Sequence, residues 1–224
     1  MTIAVLLQTC GREDLTRRTV ETFCKFNGYP GGRLSNRFEL VHADDESVSP
    51  ENMEIAGKAG FRTVFAPKER RGQMAGLKAM CAALPDGVEW IAYLENDWET
   101  VGEWPWLLSD CPFVETIRLF ADRKAQQGPR ALAGNKCLAS GRDINWVEEY
   151  ATISGVYQPD YHWAEAHFVA PSITRADVLL PLVRSCATVK DICRARPLRS
   201  VRPVENAVWH LGDTVEKQTP GFMA

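Results

Sequence analysis

The sequence predicts a single α/β domain, with a mostly parallel central sheet flanked by helices. Over the first hundred residues, apolar runs of strand length alternate with segments whose apolar residues recur at helical spacing. The fourth run, Trp90 to Leu94, is almost wholly apolar, as in a strand covered on both faces. A chain of 224 residues suits one substantial domain.

Ile3 to Gln8 reads as the first strand, and Arg12 to Phe26 as an amphipathic helix that places Leu15, Val20, Phe23 and Cys24 on one face. Gly28-Tyr29-Pro30-Gly31-Gly32 is a loop, followed by a second strand from Phe38 to Ala43 that ends in Asp44-Asp45. Ser49 is the expected N-cap of a helix through Ala59, with Pro50 at its first position. Phe61 to Ala66 reads as a third strand, Gln73 to Leu84 as a helix, and Trp90 to Leu94 as a strand that ends in Glu95-Asn96-Asp97.

Beyond Trp98 the periodicity loosens. Trp104 to Phe120 reads as an interrupted helix, and 122–130 and 142–161 as loops or short irregular elements. Ala166 to Ala170 is expected to be a strand, Arg175 to Ser185 and Val189 to Arg196 helices, and Ala207 to Leu211 a last short strand.

Composition excludes several classes. Hydrophobic residues at 45% and charged residues at 25% argue against extensive disorder, and no apolar run approaches the roughly 20 residues of a spanning helix. Met1 to Leu7 lacks the basic start and cleavage site of a secretory signal, and seven cysteines without a CxxC pair fit reduced thiols, so the expected location is cytoplasmic. The formal net charge of −3 gives no overall attraction to nucleic acid or anionic membrane.

Ligands of open parallel sheets bind outside the carboxyl ends of the strands. Three polar clusters fall at such ends: Gln8-Thr9-Cys10-Gly11-Arg12, Asp44-Asp45-Glu46-Ser47 and Glu95-Asn96-Asp97. One acidic pair after a strand is ordinarily a turn or cap; three together predict a crevice. Only Gly11 of a G-x-G-x-x-G string follows the first strand, and no G-x-x-x-x-G-K-[ST] string occurs. That leaves a nucleotide site in which carboxylates act through a divalent cation, in place of a glycine-rich phosphate nest.

The successive strings Ile3-Ala4-Val5-Leu6-Leu7-Gln8-Thr9-Cys10-Gly11-Arg12, Val41-His42-Ala43-Asp44-Asp45-Glu46-Ser47, Gly72-Gln73-Met74-Ala75-Gly76-Leu77-Lys78 and Tyr93-Leu94-Glu95-Asn96-Asp97-Trp98 resemble, in order and spacing, the signatures of GT-A fold, family 2-like glycosyltransferases. The resemblance implies a Rossmann-like domain whose residues 1–100 bind a nucleotide-sugar, UDP-sugar being the donor class, and whose residues 101–224 form the acceptor side. It implies that Thr9 and Asp45 meet the base and ribose with Asp44 and Arg12 nearby, and that Gly72 and Lys78 flank the nucleotide. Glu95 and Asp97 would occupy the two acidic positions of the D-x-D motif around Asn96, with Mn²⁺ or Mg²⁺ on Asp97 first. Glu95 departs from the usual aspartate and leaves its own contact with the metal open.

By the same resemblance, His210 completes the metal site, against the alternative of a packed histidine in an apolar strand. Inversion at the anomeric carbon needs a carboxylate base; Asp191 is the candidate, with Glu205 in reserve. Asp191 reads equally well as a plain helix-start acid. His162 and His167, five apart, do not make a metal pair.

The basic stretch Arg184 to Arg202 suggests a phosphate-bearing acceptor on that side, against the alternative of a solvated face. A glycan or lipid-linked glycan is the acceptor class expected first, a base in DNA the minority alternative. Trp98, Trp104, Trp106, Trp146 and Trp163 offer stacking surfaces, with core packing as the default. Two rivals stand beside transfer: a nucleotidyltransferase that makes nucleotide-sugars, and a non-catalytic sugar- or nucleic-acid-binding module.

Overall fold

The computed structural model describes residues 2–28, 38–45, 49–66, 72–106, 114–119, 151–153, 156–158, 161–166, 171–203 and 207–211. Its strands are β1 (Thr2–Thr9), β2 (Phe38–Asp44), β3 (Arg62–Thr63), β4 (Val88–Glu95), β5 (Trp98–Thr100), β6 (Thr116–Arg118), β7 (Ala151–Ile153), β8 (Val156–Gln158), β9 (Tyr161–Ala166), β10 (Ser172–Arg175), β11 (Leu198–Pro203) and β12 (Val208–His210). The helices are α1 (Glu13–Asn27), α2 (Pro50–Lys58), α3 (Gln73–Ala82), α4 (Ala176–Ser185) and α5 (Val189–Ala195).

Eight strands form one sheet in the order β3-β2-β1-β4-β10-β6-β11-β9, and two-stranded ladders join β12 to β5 and β7 to β8. β3, β2, β1 and β4 run parallel, while β10 enters antiparallel between β4 and β6. The first half is therefore the parallel α/β unit expected, and the second half is mixed.

Covering both faces explains the apolar runs. Val20 and Phe23 of α1 and Ile55 and Ala56 of α2 pack on Ile3, Val5 and Leu7. Leu77 and Met80 of α3 and Leu179 and Val183 of α4 pack on Ala4, Leu6, Ile91 and Tyr93 from the other side. Alternate residues of β1 thus feed two cores. Trp98, Trp104 and Trp106 are buried in the first core, the packing role that was the default for them.

The helix ends obey local chemistry. Ser49 Oγ accepts from the Asn52 backbone N–H at 3.2 Å, with Pro50 at the first turn of α2. Gly28 adopts φ 70°, ψ 19° and ends α1 where a side chain would be strained.

The second half departs from the sequence reading. Thr116–Arg118, expected within a helix, is the strand β6, because it pairs with β10 on one side and β11 on the other. β10 and β11 lie in stretches with no clear strand pattern, and within 142–161, expected to be irregular, β7 and β8 pair antiparallel. Only Arg62–Thr63 of the expected third strand pairs in the sheet. The expected strand from Ala166 coincides with β9 at that residue alone; 167–170, like 122–130, lies outside the described residues.

Glu115 ties this half together. Its carboxylate accepts from Arg196 Nη2 at 2.7 Å and from the Arg199 backbone N–H at 2.8 Å, while its carbonyl accepts from the Arg175 N–H at 2.9 Å. The Arg196 bonds first, against a smaller opposing effect of burial, hold the Glu115 carboxyl down at about 2. Removing the carboxylate in Glu115→Ala is expected to cost about 1–2 kcal/mol of folding stability by urea unfolding, since its cationic partners are half exposed and remain hydrated.

Candidate functional site

Parallel pairing brings the three strand-end clusters to one edge. Thr9 stands beside Asp44 across β1–β2, and Gln8 beside Glu95 across β1–β4. Past the ladders, the Asp45 N–H donates to Thr9 O at 2.6 Å and the Asn96 N–H to Gln8 O at 3.0 Å. One edge of the sheet thereby gathers three separate stretches of chain.

After β1 the backbone turns through two consecutive left-handed residues, Gly11 at φ 52° and Arg12 at φ 54°. Such geometry suits glycine and strains arginine, and side chains hold it in place. Asn96 Nδ2 donates to Gly11 O and to Thr16 Oγ1, both at 2.9 Å. Arg12 Nη2 donates to Asn96 Oδ1 and Asp97 Oδ2, each at 3.3 Å. Asn96, expected to meet the donor, is 2% exposed and turned inward as a brace.

Asp97 Oδ2 lies 3.3 Å from His210 Nε2, and the Leu211 N–H donates to Asp97 O at 2.6 Å, so β12 docks on the turn after β4 through both side chain and backbone. The His210 ring also packs on Trp98, with centroids 4.9 Å apart. Burial pushes the Asp97 carboxyl up, but His210 and Arg12 more than offset it and hold it below the usual carboxylate value. Asp97 Oδ1 is buried with no hydrogen-bond partner.

Glu95 is pushed up to about 7, by burial first and then by the charge of Asp97. Its Oε1 accepts from Gln73 Nε2 and faces the Tyr93 hydroxyl at 3.4 Å. Among the described residues no three His, Cys, Asp or Glu side chains are gathered closely enough to hold a metal ion. The residues nevertheless fit a hard divalent cation: a buried oxygen of Asp97 lacks a partner, an imidazole lies beside it, and a second carboxyl crowds its charge. Asp97 and His210 would hold it, and Glu95 remains tied to α3.

Gly72 caps α3 at φ 104°, ψ 162°, a conformation open to glycine. Lys78 follows on the same helix, about one and a half turns from Gly72 and half-buried. A Cβ on Gly76 would lie 2.7 Å from Gln8 Nε2, so glycine lets α3 lean against β1. Tyr93 Oη donates to Gln8 Oε1 at 2.9 Å and accepts from Gln73 Nε2 at 3.3 Å. The sequence reading did not single out Gln8, Gln73 or Tyr93 as site residues; a polar residue at the crevice end of an apolar strand or helix was the available signal.

On the α1–α2 face, Thr9, expected to contact the donor, is fully buried. Its hydroxyl donates to Asp44 Oδ2 at 3.0 Å and meets His42 Nε2 at 2.9 Å. Asn52 Nδ2 donates to the same Asp44 oxygen at 3.0 Å and to Gly11 O at 3.1 Å. Burial raises Asp44 above its ordinary value, against Asn52, Thr9 and the Ser49 backbone N–H. Asp45, the next residue, is half-buried, and its charge is felt at the Tyr93 hydroxyl.

Two expected site features lie elsewhere. Asp191 Oδ2 accepts from the Thr188 N–H at 2.9 Å and Oγ1 at 2.8 Å, completing the capping box of α5, so of its two readings the structure displays the helix-start acid. α5 leads into Arg196 and the Glu115 junction, where Arg175 stands opposite Trp90, about 16 Å along β4 from Glu95. Arg196 and Arg199 are engaged there by Glu115, which takes that part of the basic stretch away from the crevice. Glu205 lies outside the described residues.

The fold and this edge define a class: the GT-A architecture, matched over most of the chain by solved structures. No family model matches the sequence, and no curated protein matches it. Staphylococcus aureus TarS superposes with a TM-score of 0.60 at 13% identity, covering 94% of this chain and 36% of that one. Its 1–349 form with UDP-GlcNAc gives 0.56 at 12%, over 93% and 57%. The mannosyltransferase PcManGT from Pyrobaculum calidifontis, in complex with GDP-Man and Mn²⁺, gives 0.57 at 14%, over 97% and 58%. The 4-diphosphocytidyl-2C-methyl-D-erythritol synthase of Anaerococcus prevotii gives 0.52 at 9%, over 90% and 87%. The chain thus spans little more than a third of TarS and under two thirds of PcManGT.

His42 supplies a stability test. Burial lowers it from 6.5 to about 4, so the unfolded chain takes up its proton first as pH falls. Its contribution is fully present above pH 6.5 and is lost toward pH 4, by about 3 kcal/mol. Urea unfolding of the wild type is expected to show this loss, and His42→Gln to lack it.

Proposed function

We propose that this chain is a metal-dependent glycosyltransferase that moves a sugar from a nucleotide-sugar, a UDP-sugar first, to an acceptor hydroxyl with inversion. The observation that carries the reading is Asp97: a partly buried carboxylate just past the carboxyl end of β4, with one oxygen held by His210 and Arg12 and the other buried without a partner. The solved structures with UDP-GlcNAc and with GDP-Man and Mn²⁺ share the fold and support the donor class.

Bound Mn²⁺ or Mg²⁺ supplies neutralisation of the charge that develops on a departing diphosphate. Asp97 and His210 would hold the ion, and Arg12 adds a positive charge beside Asp97. Asp45 projects from the end of β2 toward the ribose side, and Glu95, braced by Gln73 and Tyr93, closes the crevice against α3. The preferred acceptor is a glycan or lipid-linked glycan, with a base in DNA second. Glu205 is the preferred base, since Asp191 is engaged in a helix cap.

A nucleotidyltransferase is the second reading, favoured by the similarity to the diphosphocytidyl-methylerythritol synthase. Against it, Cys10-Gly11-Arg12-Glu13-Asp14 is a short acidic segment where such an enzyme needs a basic, glycine-rich loop. A panel of nucleotide-sugars and nucleoside triphosphates with Mn²⁺, read by thermal shift and product release, separates the two. Free UDP from a UDP-sugar is expected; pyrophosphate from a triphosphate would replace transfer by nucleotidyl chemistry. Donor binding with no turnover would instead indicate the non-catalytic module. Asp97→Asn is expected to lower turnover at least 100-fold and to abolish the Mn²⁺-dependent part of the thermal shift.

A further inference from the structure

His42 stands in the middle of β2, between Val41 and Ala43, with no exposed surface. A buried polar side chain at such a position destabilises unless each of its polar atoms is paired. Both ring nitrogens are met by hydroxyls: Nε2 by Thr9 Oγ1 at 2.9 Å and Nδ1 by Thr63 Oγ1 at 3.0 Å.

Burial disfavours the charged ring, and for a neutral ring one arrangement of protons satisfies all these contacts. The Thr9 hydroxyl has a single proton and gives it to the acceptor-only carboxylate of Asp44. The His42–Thr9 contact must then run from Nε2–H to the Thr9 oxygen. Nδ1 is left unprotonated and accepts from Thr63. The ring is therefore a neutral Nε2–H tautomer, assigned by its partners. Its lowered proton affinity agrees with that neutral form.

The chain of bonds continues beyond Asp44. Asn52 Nδ2 donates to Asp44 Oδ2 and to Gly11 O, and Gly11 precedes Arg12, whose guanidinium lies on Asp97. Thr9 also accepts, through its backbone carbonyl, the N–H of Asp45. One buried network, rooted at His42, thus reaches both loops that flank the crevice: 9–12 after β1 and 44–45 after β2. An apolar residue at 42 would fill the same space without orienting either loop.

We propose that His42 is a positioning residue: acting through Thr9 and Asp44, it fixes the Asp45 and Gly11–Arg12 backbones in the geometry that receives the nucleotide. This rests on the nucleotide reading above. Removing the imidazole leaves the Thr9–Asp44 bond in place and leaves Thr63 half-exposed to water, so folding stability changes little while the loops loosen.

The test uses His42→Met, which keeps the volume and loses the N–H, and His42→Gln, which can restore a donor near the Nε2 position. Thr63→Val, at the edge of the network, serves if His42→Met fails to fold. Two readouts are taken: amide hydrogen exchange of Asp45 without ligand, and UDP affinity with Mn²⁺ by calorimetry. In His42→Met, Asp45 exchange is expected to quicken and UDP affinity to fall, each about tenfold, with the melting temperature within a few degrees of wild type and both readouts restored in His42→Gln. In an assay of transfer the loss is expected in KM, with kcat close to wild type. Wild-type exchange and affinity in both His42→Met and Thr63→Val would overturn the proposal. Absence of UDP binding by the wild type would sink the nucleotide reading alone, since the exchange measurement decides the role of His42 without ligand.

Discussion

The site depends on β1 lying between β2 and β4, parallel to both. Parallel ladders align chain direction, so the carboxyl ends of all three strands reach the same edge, and the register sets which side chains meet there. Thr9 beside Asp44 and Gln8 beside Glu95 follow from that register. A slip of one residue would turn each of these groups to the opposite face of the sheet. The apolar packing of β1 on both faces opposes such a slip, since alternate residues belong to different cores.

Around this frame, polar groups are spent on holding backbone and little on solvent contact. Asn96 and Asn52 both bond the carbonyl of Gly11, from the β4 side and from α2. That double attachment stabilises two successive left-handed residues, one of which is not glycine. The result places a guanidinium against Asp97 and leaves the carboxylate with one committed oxygen and one uncommitted. Glu95, two residues earlier, carries the electrostatic consequence: it is buried near a second negative charge and holds its proton to about neutral pH. Such a pair is costly in an apolar setting and would be relieved by a cation.

The two halves of the chain differed in how much the sequence disclosed. In 3–100 the central strands β1 and β4 carry apolar runs because both of their faces are covered, and α1 and α2 begin or end at recognisable residues such as Ser49, Pro50 and Gly28. Beyond Trp98, β6 and β10 are three and four residues long and gain their strand character from neighbours far away in sequence. Periodicity cannot register in so few residues. Asp191 shows the same limit for function: an acid at the start of a short helix serves equally as a cap or as a base in the sequence, and its hydrogen bonds to Thr188 are visible only in three dimensions.

By itself the sequence determined the α/β class, the three strand-end polar clusters and the acidic residues in them, because side-chain type and local spacing suffice to specify buried strands, caps and turns. Only the tertiary structure decided which of those residues share a site. It joined His210 to Asp97 across the β12–β5 ladder, turned Thr9 and Asn96 inward as braces, drew Asp191 into a helix cap and held Arg196 at the far end of the sheet. The physical reason is that pairing partners and burial arise from contacts between segments tens of residues apart, which no local pattern encodes.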